Sequence, residues 1–114
     1  MARQLKLPSA ELATVDASKV TEYLLSPTHP DGSSKAAFFM RFGFRIQSWE
    51  ILAAALRAHG MAYAVVQQTQ SRFGARYAVD GRITSPDGRN PRIRTVWLIE
   101  AGHTAPRLIT AYPI

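Results

Sequence analysis

The sequence predicts an α+β fold, about three N-terminal helices packed on a four-stranded antiparallel meander sheet. Apolar residues recur at helical spacing as far as His59; after Met61 the period changes, to a stretch rich in alanine and valine and then to alternation of Tyr77, Val79 and Ile83 with Arg76, Asp80 and Arg82. Short turn-forming groups, Ser85-Pro86-Asp87-Gly88 above all, separate the later segments and make successive strands antiparallel neighbours. No repeat, linker or low-complexity stretch divides the 114 residues, 46% of them hydrophobic, so 1–114 is expected to form a single domain.

Residues 1–15 read as an irregular N-terminal arm, because Pro8 and Ser9 interrupt the period of Leu5, Leu7, Leu12 and Val15. Asp16 is placed to cap a helix over 17–25, with Val20, Tyr23 and Leu24 on one stripe. Pro27 ends it. Two prolines and Asp31-Gly32 then stiffen the turn around His29. Ser33 or Ser34 is expected to cap a second helix from Lys35 to about Phe42, closed by Gly43. Trp49, Leu52, Ala53 and Leu56 define a third, capped by Ser48, running to His59 and closed by Gly60. Strands follow over about 61–69, 75–83, 93–100 and 107–112.

The chain has no cysteine, which excludes disulfides and thiolate metal sites and suits the cytosol. No signal-peptide core or membrane-length apolar run is present, so a cytoplasmic protein, or a module delivered by another machine, is expected, with no membrane partner. The net charge is +6. Residues 57–114 hold eight arginines against Asp80, Asp87 and Glu100, so almost all of the excess lies in the second half. Arginine suits bidentate contact with phosphate, and a one-sided basic surface attracts RNA or another polyanion.

Pairing Thr84 with Pro91 and Glu100 with Arg107 across the two later turns gives a register. It puts Tyr77, Val79, Val96, Leu98, Ile109 and Ala111 on an apolar face for the helices. Arg76, Asp80, Arg82, Thr95, Trp97, Thr110 and Tyr112 then share the other face. That face fits phosphate contact and base stacking, which contributes about 1–3 kcal/mol per base. It equally fits the solvent side of a half-buried sheet, and a one-residue slip would exchange the faces.

His29, held between Pro27 and Pro30, is the candidate proton-transfer group, because an unperturbed imidazole titrates near neutral pH. Lys35, Arg76, Arg82 and Arg94 are candidates to hold phosphate or stabilise a phosphorane, and Thr95 and Tyr112 to orient phosphate or donate a proton. His59 at a helix end fits complementing the dipole, and His103 an exposed turn. Each also fits an ordinary structural or solvated role. The set suffices for RNA cleavage without a metal or cofactor. No HExxH, paired-carboxylate, GxSxG, P-loop or GxGxxG pattern supports another chemistry.

Leu7-Pro8-Ser9-Ala10 and the run from Tyr23 through His29-Pro30-Asp31-Gly32 to Lys35-Ala36 resemble an uncharacterised bacterial domain family. The resemblance continues through Arg76-Tyr77-Ala78-Val79-Asp80, Arg94-Thr95-Val96-Trp97 and Pro106 to Tyr112, nearly the whole chain. It implies a stand-alone protein or a terminal module of toxin-like or phage-related proteins. At the level of fold the chain is also similar to the barnase, EndoU, colicin and RelE group of small ribonucleases. Two functions are therefore expected as alternatives. One is a small metal-independent RNA endonuclease of bacterial toxin type, with His29, Lys35, Thr95 and Tyr112 catalytic and an acidic immunity or antitoxin partner. The other is a non-catalytic basic module that binds nucleic acid or a phage or secretion-system protein.

Overall fold

A computed structural model describes residues 5–114; the first four residues of the expected arm lie outside the described residues. Helical segments α1 (Ala17–Lys19, continued by a π-turn over Val20–Leu24), α2 (Ser33–Arg41) and α3 (Trp49–Ala62) precede strands β1 (Val65–Ser71), β2 (Gly74–Arg82), β3 (Arg92–Glu100) and β4 (Arg107–Pro113). The strands form one antiparallel sheet in the order β1-β2-β3-β4. This is the α+β meander that the sequence predicts.

The helices pack on one face, where Val20, Leu24, Phe39, Leu52 and Leu56 meet Tyr77, Val79, Ile93, Trp97 and Ala111. The first helix is not α throughout. Leu25 N–H reaches back to Val20 O at 2.8 Å, a five-residue span, and both Leu24 and Leu25 reach the core. Asp16, Gly32 and Ser48 occupy the N-cap positions, but no side chain there bonds to the helix it precedes. For α2 the expected serine cap is replaced by His29, whose carbonyl accepts the Gly32 and Ser33 N–H groups.

Gly60 does not end α3, which runs on to Ala62 and delays β1 to Val65. Its role is close packing: a Cβ there would lie 2.6 Å from Trp97 Cζ2 and 2.8 Å from Cε2. Only a residue without a side chain lets α3 approach the sheet over that indole.

The register differs by one residue from the turn-based pairing. Arg82 pairs with Arg92, so Asp80 faces Arg94, Val79 faces Thr95 and Tyr77 faces Trp97. Pro91 has no N–H to give a ladder rung and contributes only its carbonyl, to Ile83 N–H at 3.0 Å. On the far side of β3, Arg94 faces Tyr112 and Val96 faces Thr110, with a bulge before Trp97. Thr95 and Trp97, expected on the open face, are therefore buried at 0% exposure, while Arg94 and Val96 take the open side. The expected faces of β2 hold, as do those of Thr110, Ala111 and Tyr112.

Gly60→Ala tests the close approach. An ordinary helical glycine gains stability on change to alanine; here the added methyl overpacks Trp97 and is expected to cost about 1–3 kcal/mol in urea unfolding. An equal or higher stability would contradict it.

Candidate nucleic-acid interface

The slip in register builds the site. Three rows of side chains cross the open face: Thr69, Arg76 and Leu98; Gln67, Ala78, Val96 and Thr110; Asp80, Arg94 and Tyr112. Between them lies a shallow depression of ≈ 160 Å³, open to solvent and lined by Gln67, Thr69, Arg76, Tyr77, Ala78, Arg94, Val96 and Tyr112. Ala78 and Val96 are small and face one another, which leaves a low apolar floor between taller polar walls.

The two arginines differ in state. Arg94 Nε donates to Asp80 Oδ1 at 2.7 Å and Nη2 to Oδ2 at 3.0 Å, a bidentate pair on neighbouring strands. That pairing holds the Asp80 carboxyl below its usual range and, with the Tyr112 hydroxyl as a second partner, raises the Arg94 guanidinium further. Arg94 is a fixed cation beside a phenol. Arg76 is exposed and makes no ion pair or side-chain hydrogen bond among the described residues. Its charge is available to a ligand.

The other expected phosphate contact, Arg82, does not join them. It donates through Nη1 to the Asn90 carbonyl at 2.9 Å and lines a separate small cavity beside α3.

His29 and Lys35 lie together, but not in the depression. His29 Nδ1 accepts the N–H groups of Asp31, at 2.9 Å, and Gly32, at 3.0 Å. That ring nitrogen is therefore the unprotonated one, and Nε2 carries hydrogen and can only donate. The geometry leaves His29 no free lone pair for the base half of its expected acid-or-base role, and its Nε2–H, which could serve the acid half, stands outside the depression; the ring completes the turn before α2. Gly32 fits there because a Cβ at this position would collide with the Tyr23 carbonyl. Lys35 Nζ donates to the Asp31 carbonyl at 3.1 Å and stands 5.4 Å from the centre of the Tyr23 ring, against whose plane His29 packs edge-on at 5.0 Å. Tyr23 ties this cluster to the sheet, its hydroxyl 3.0 Å from Thr110 Oγ1.

Thr95 stands on the wrong side of β3 for its expected role. Its hydroxyl joins two buried rings, 2.9 Å from His59 Nδ1 and 2.8 Å from Trp97 Nε1. The donors can be assigned. His59 Nε2 faces the Gly81 carbonyl at 3.0 Å and must carry the proton. Nδ1 is then an acceptor, so Thr95 donates to it and accepts from the indole. Burial lowers the His59 pKa, in keeping with a neutral ring. His59 is thus a core histidine within α3, not a residue complementing the helix end. His103 is exposed in the β3–β4 turn, as expected.

Gln67, Thr69, Val96 and Tyr23 were not among the expected site residues. Strand β1 is polar at both parities from Gln67 to Ser71, so alternation did not mark Gln67 and Thr69; Val96 was hidden by the register. Among the described residues no group of three or more His, Asp or Glu side chains gathers to hold a metal ion, and no helix is long and apolar enough to cross a membrane.

Fold and site together define an α+β module with a basic, partly aromatic depression on its open sheet face. Residues 6–114 match the family model described as a domain of unknown function, DUF6883, and the chain belongs to that family. A chain from the structure of a contact-dependent growth inhibition toxin–immunity protein complex of Klebsiella pneumoniae 342 is similar in fold. Its TM-score is 0.70 at 19% identity, covering 89% of this chain and 99% of that one. No curated protein matches the sequence.

Two outcomes follow from the buried network. Thr95→Val removes one partner from each ring, with an expected loss of about 1–3 kcal/mol for each buried group left unsatisfied, while Thr95→Ser retains most of the stability. Unfolded, His59 titrates near pH 6.5; folded, it titrates lower. Below about pH 6.5 the unfolded chain therefore binds more protons, and stability should fall as pH drops. His59→Asn should remove that part of the slope in denaturant titrations; an unchanged slope would show that the ring does not titrate as described.

Proposed function

We propose that this chain is a toxin-type module whose target is RNA and whose working surface is the open-face depression, where it promotes metal-independent cleavage. The observation that carries the reading is the pairing of a free cation, Arg76, with a pinned one, Arg94, across an apolar floor beside Tyr112. Guanidinium groups are suited to phosphate, the floor to a base and the phenol to stacking or proton donation. The +6 charge supports a polyanionic target, and the printed title of the similar structure, which names a toxin and its immunity protein, supports the toxin context. An acidic immunity protein is the corresponding partner, and a delivered module the corresponding form.

In this reading the RNA 2′-oxygen attacks the adjacent phosphorus, forming one P–O bond as the bond to the 5′-oxygen breaks. Arg76 and Arg94 stabilise the charge on the pentavalent phosphorus, and Tyr112 gives its proton to the departing 5′-oxygen. Asp80 is committed to Arg94, so the 2′-proton leaves to a base from solvent. Lys35 stands outside the depression and takes no part in this step, and His29 shapes the turn that carries it. The commitment of Asp80 and the position of His29 also favour the second reading, a module that binds RNA on this surface without cutting it.

Total RNA incubated with the protein in EDTA separates the two. The first reading expects cleavage that Tyr112→Phe slows by about 10²-fold or more with little change in binding, and that Arg76→Ala weakens through binding. With solvent as base, the rate should climb from about pH 6 to 8 rather than pass through a maximum. Binding without cleavage selects the second reading. Neither binding nor cleavage would end both.

A further inference from the structure

The middle row of the open face does not stop at the edge of the sheet. Gln67, Ala78, Val96 and Thr110 face one another across all four strands, and the Thr110 hydroxyl continues the row to Tyr23 Oη. Beyond that hydroxyl two ammonium groups stand at one aromatic ring, Lys19 Nζ at 5.2 Å and Lys35 Nζ at 5.4 Å from its centre. Neither lysine is paired with a carboxylate among the described residues, although Asp16, Glu22 and Asp31 are near in sequence. Lys19 comes from α1 and Lys35 from α2, so two elements bring like charges to the same ring. The third group at that ring, His29, has its Nε2–H free to donate, because Nδ1 is occupied by the turn.

We propose that Tyr23, with Lys19, Lys35 and the His29 Nε2–H, forms a second phosphate subsite that holds single-stranded RNA running across the strands from the Ala78–Val96 floor. The proposal rests on the RNA reading of the depression and adds where the strand goes. Strands lie about 4.8 Å apart, so the Tyr23 hydroxyl is roughly 10 Å from the centre of the floor and the ammonium groups a little further. That span is a few nucleotides long. Two ammonium groups without carboxylate partners and an N–H donor around one ring raise the positive potential there, which favours a phosphate. A duplex cannot present its bases to the floor without being opened, so single strands are the ligand class. The cluster makes no contact with the reacting phosphate; its part is to position the chain of the substrate.

Anisotropy titrations with 2′-O-methyl RNA, which cannot be cut at its blocked 2′-oxygen, test this with two lengths, a dinucleotide used as competitor and a labelled strand of about ten nucleotides. Lys19→Ala/Lys35→Ala should weaken the long strand by roughly 5–10-fold and reduce its salt slope by about 1.4, two phosphate contacts at 0.7 each. The dinucleotide should be unaffected. Lys19→Arg/Lys35→Arg should restore the long-strand affinity, and circular dichroism should confirm that the Ala variant is folded. Equal loss for both lengths, no loss for either, or failure of the arginine pair to rescue would overturn the subsite. Arg76→Ala tests the underlying reading separately: it should weaken both lengths, and an unchanged affinity for both would move the floor site elsewhere whatever the lysines do. A wild-type protein that binds neither length overturns subsite and reading together.

Discussion

The contact between Trp97 and the bare backbone of Gly60 decides which face each β3 residue presents. The indole lies where a side chain on residue 60 would be, and its N–H is bonded through Thr95 to a histidine one position earlier in the same helix. Helix α3 is thereby matched to β3 by shape at one residue and by hydrogen bonding at the next. Shifting β3 by one residue would move Trp97, Thr95 and Ile93 to solvent together and leave His59 without its partner. Because Trp97, Thr95 and Ile93 point inward, Arg94 and Val96 must point outward. The basic depression is the reverse side of a core packing solution.

That dependence explains what the sequence made legible and what it hid. Element order and sheet class follow from hydrophobic period and turn composition, which are local, and Tyr77, Val79, Thr110, Ala111 and Tyr112 fall on the faces that alternation assigns. The side of β3 does not follow from alternation alone, since Arg92 to Glu100 carries apolar residues at both parities. The turn before it misleads because Pro91 lies inside the loop rather than at its closing pair. Gly60 misleads for a related reason: a glycine after a helical stripe reads as a stop, whereas this one serves a neighbour distant in sequence. His59 and Thr95 looked separate in the chain and meet only when α3 lies on the sheet.

The two charged regions also illustrate how fixed and free cations divide labour. Arg94 is oriented by Asp80, which costs it freedom but aims it beside Tyr112. Arg76 and the two lysines at Tyr23 have no such partner among the described residues. His29, which its place between two prolines marks as the proton-transfer candidate, instead commits Nδ1 to the turn that delivers Lys35 to the ring. Chemistry-bearing residue types thus serve the scaffold at His59 and Thr95 and in part at His29, and the depression itself is built from arginine, tyrosine and amide side chains on the open sheet.

RNA binding at the open face remains the proposal on which the functional reading stands. A ¹H–¹⁵N chemical-shift titration of the protein with a short single-stranded RNA tests it directly. The account predicts shifts concentrated at Gln67, Thr69, Arg76, Ala78, Val96 and Tyr112, extending to Thr110 and Tyr23, with the α3 face still. Shifts confined to the helical face, or none at RNA concentrations that saturate other basic domains, would contradict it.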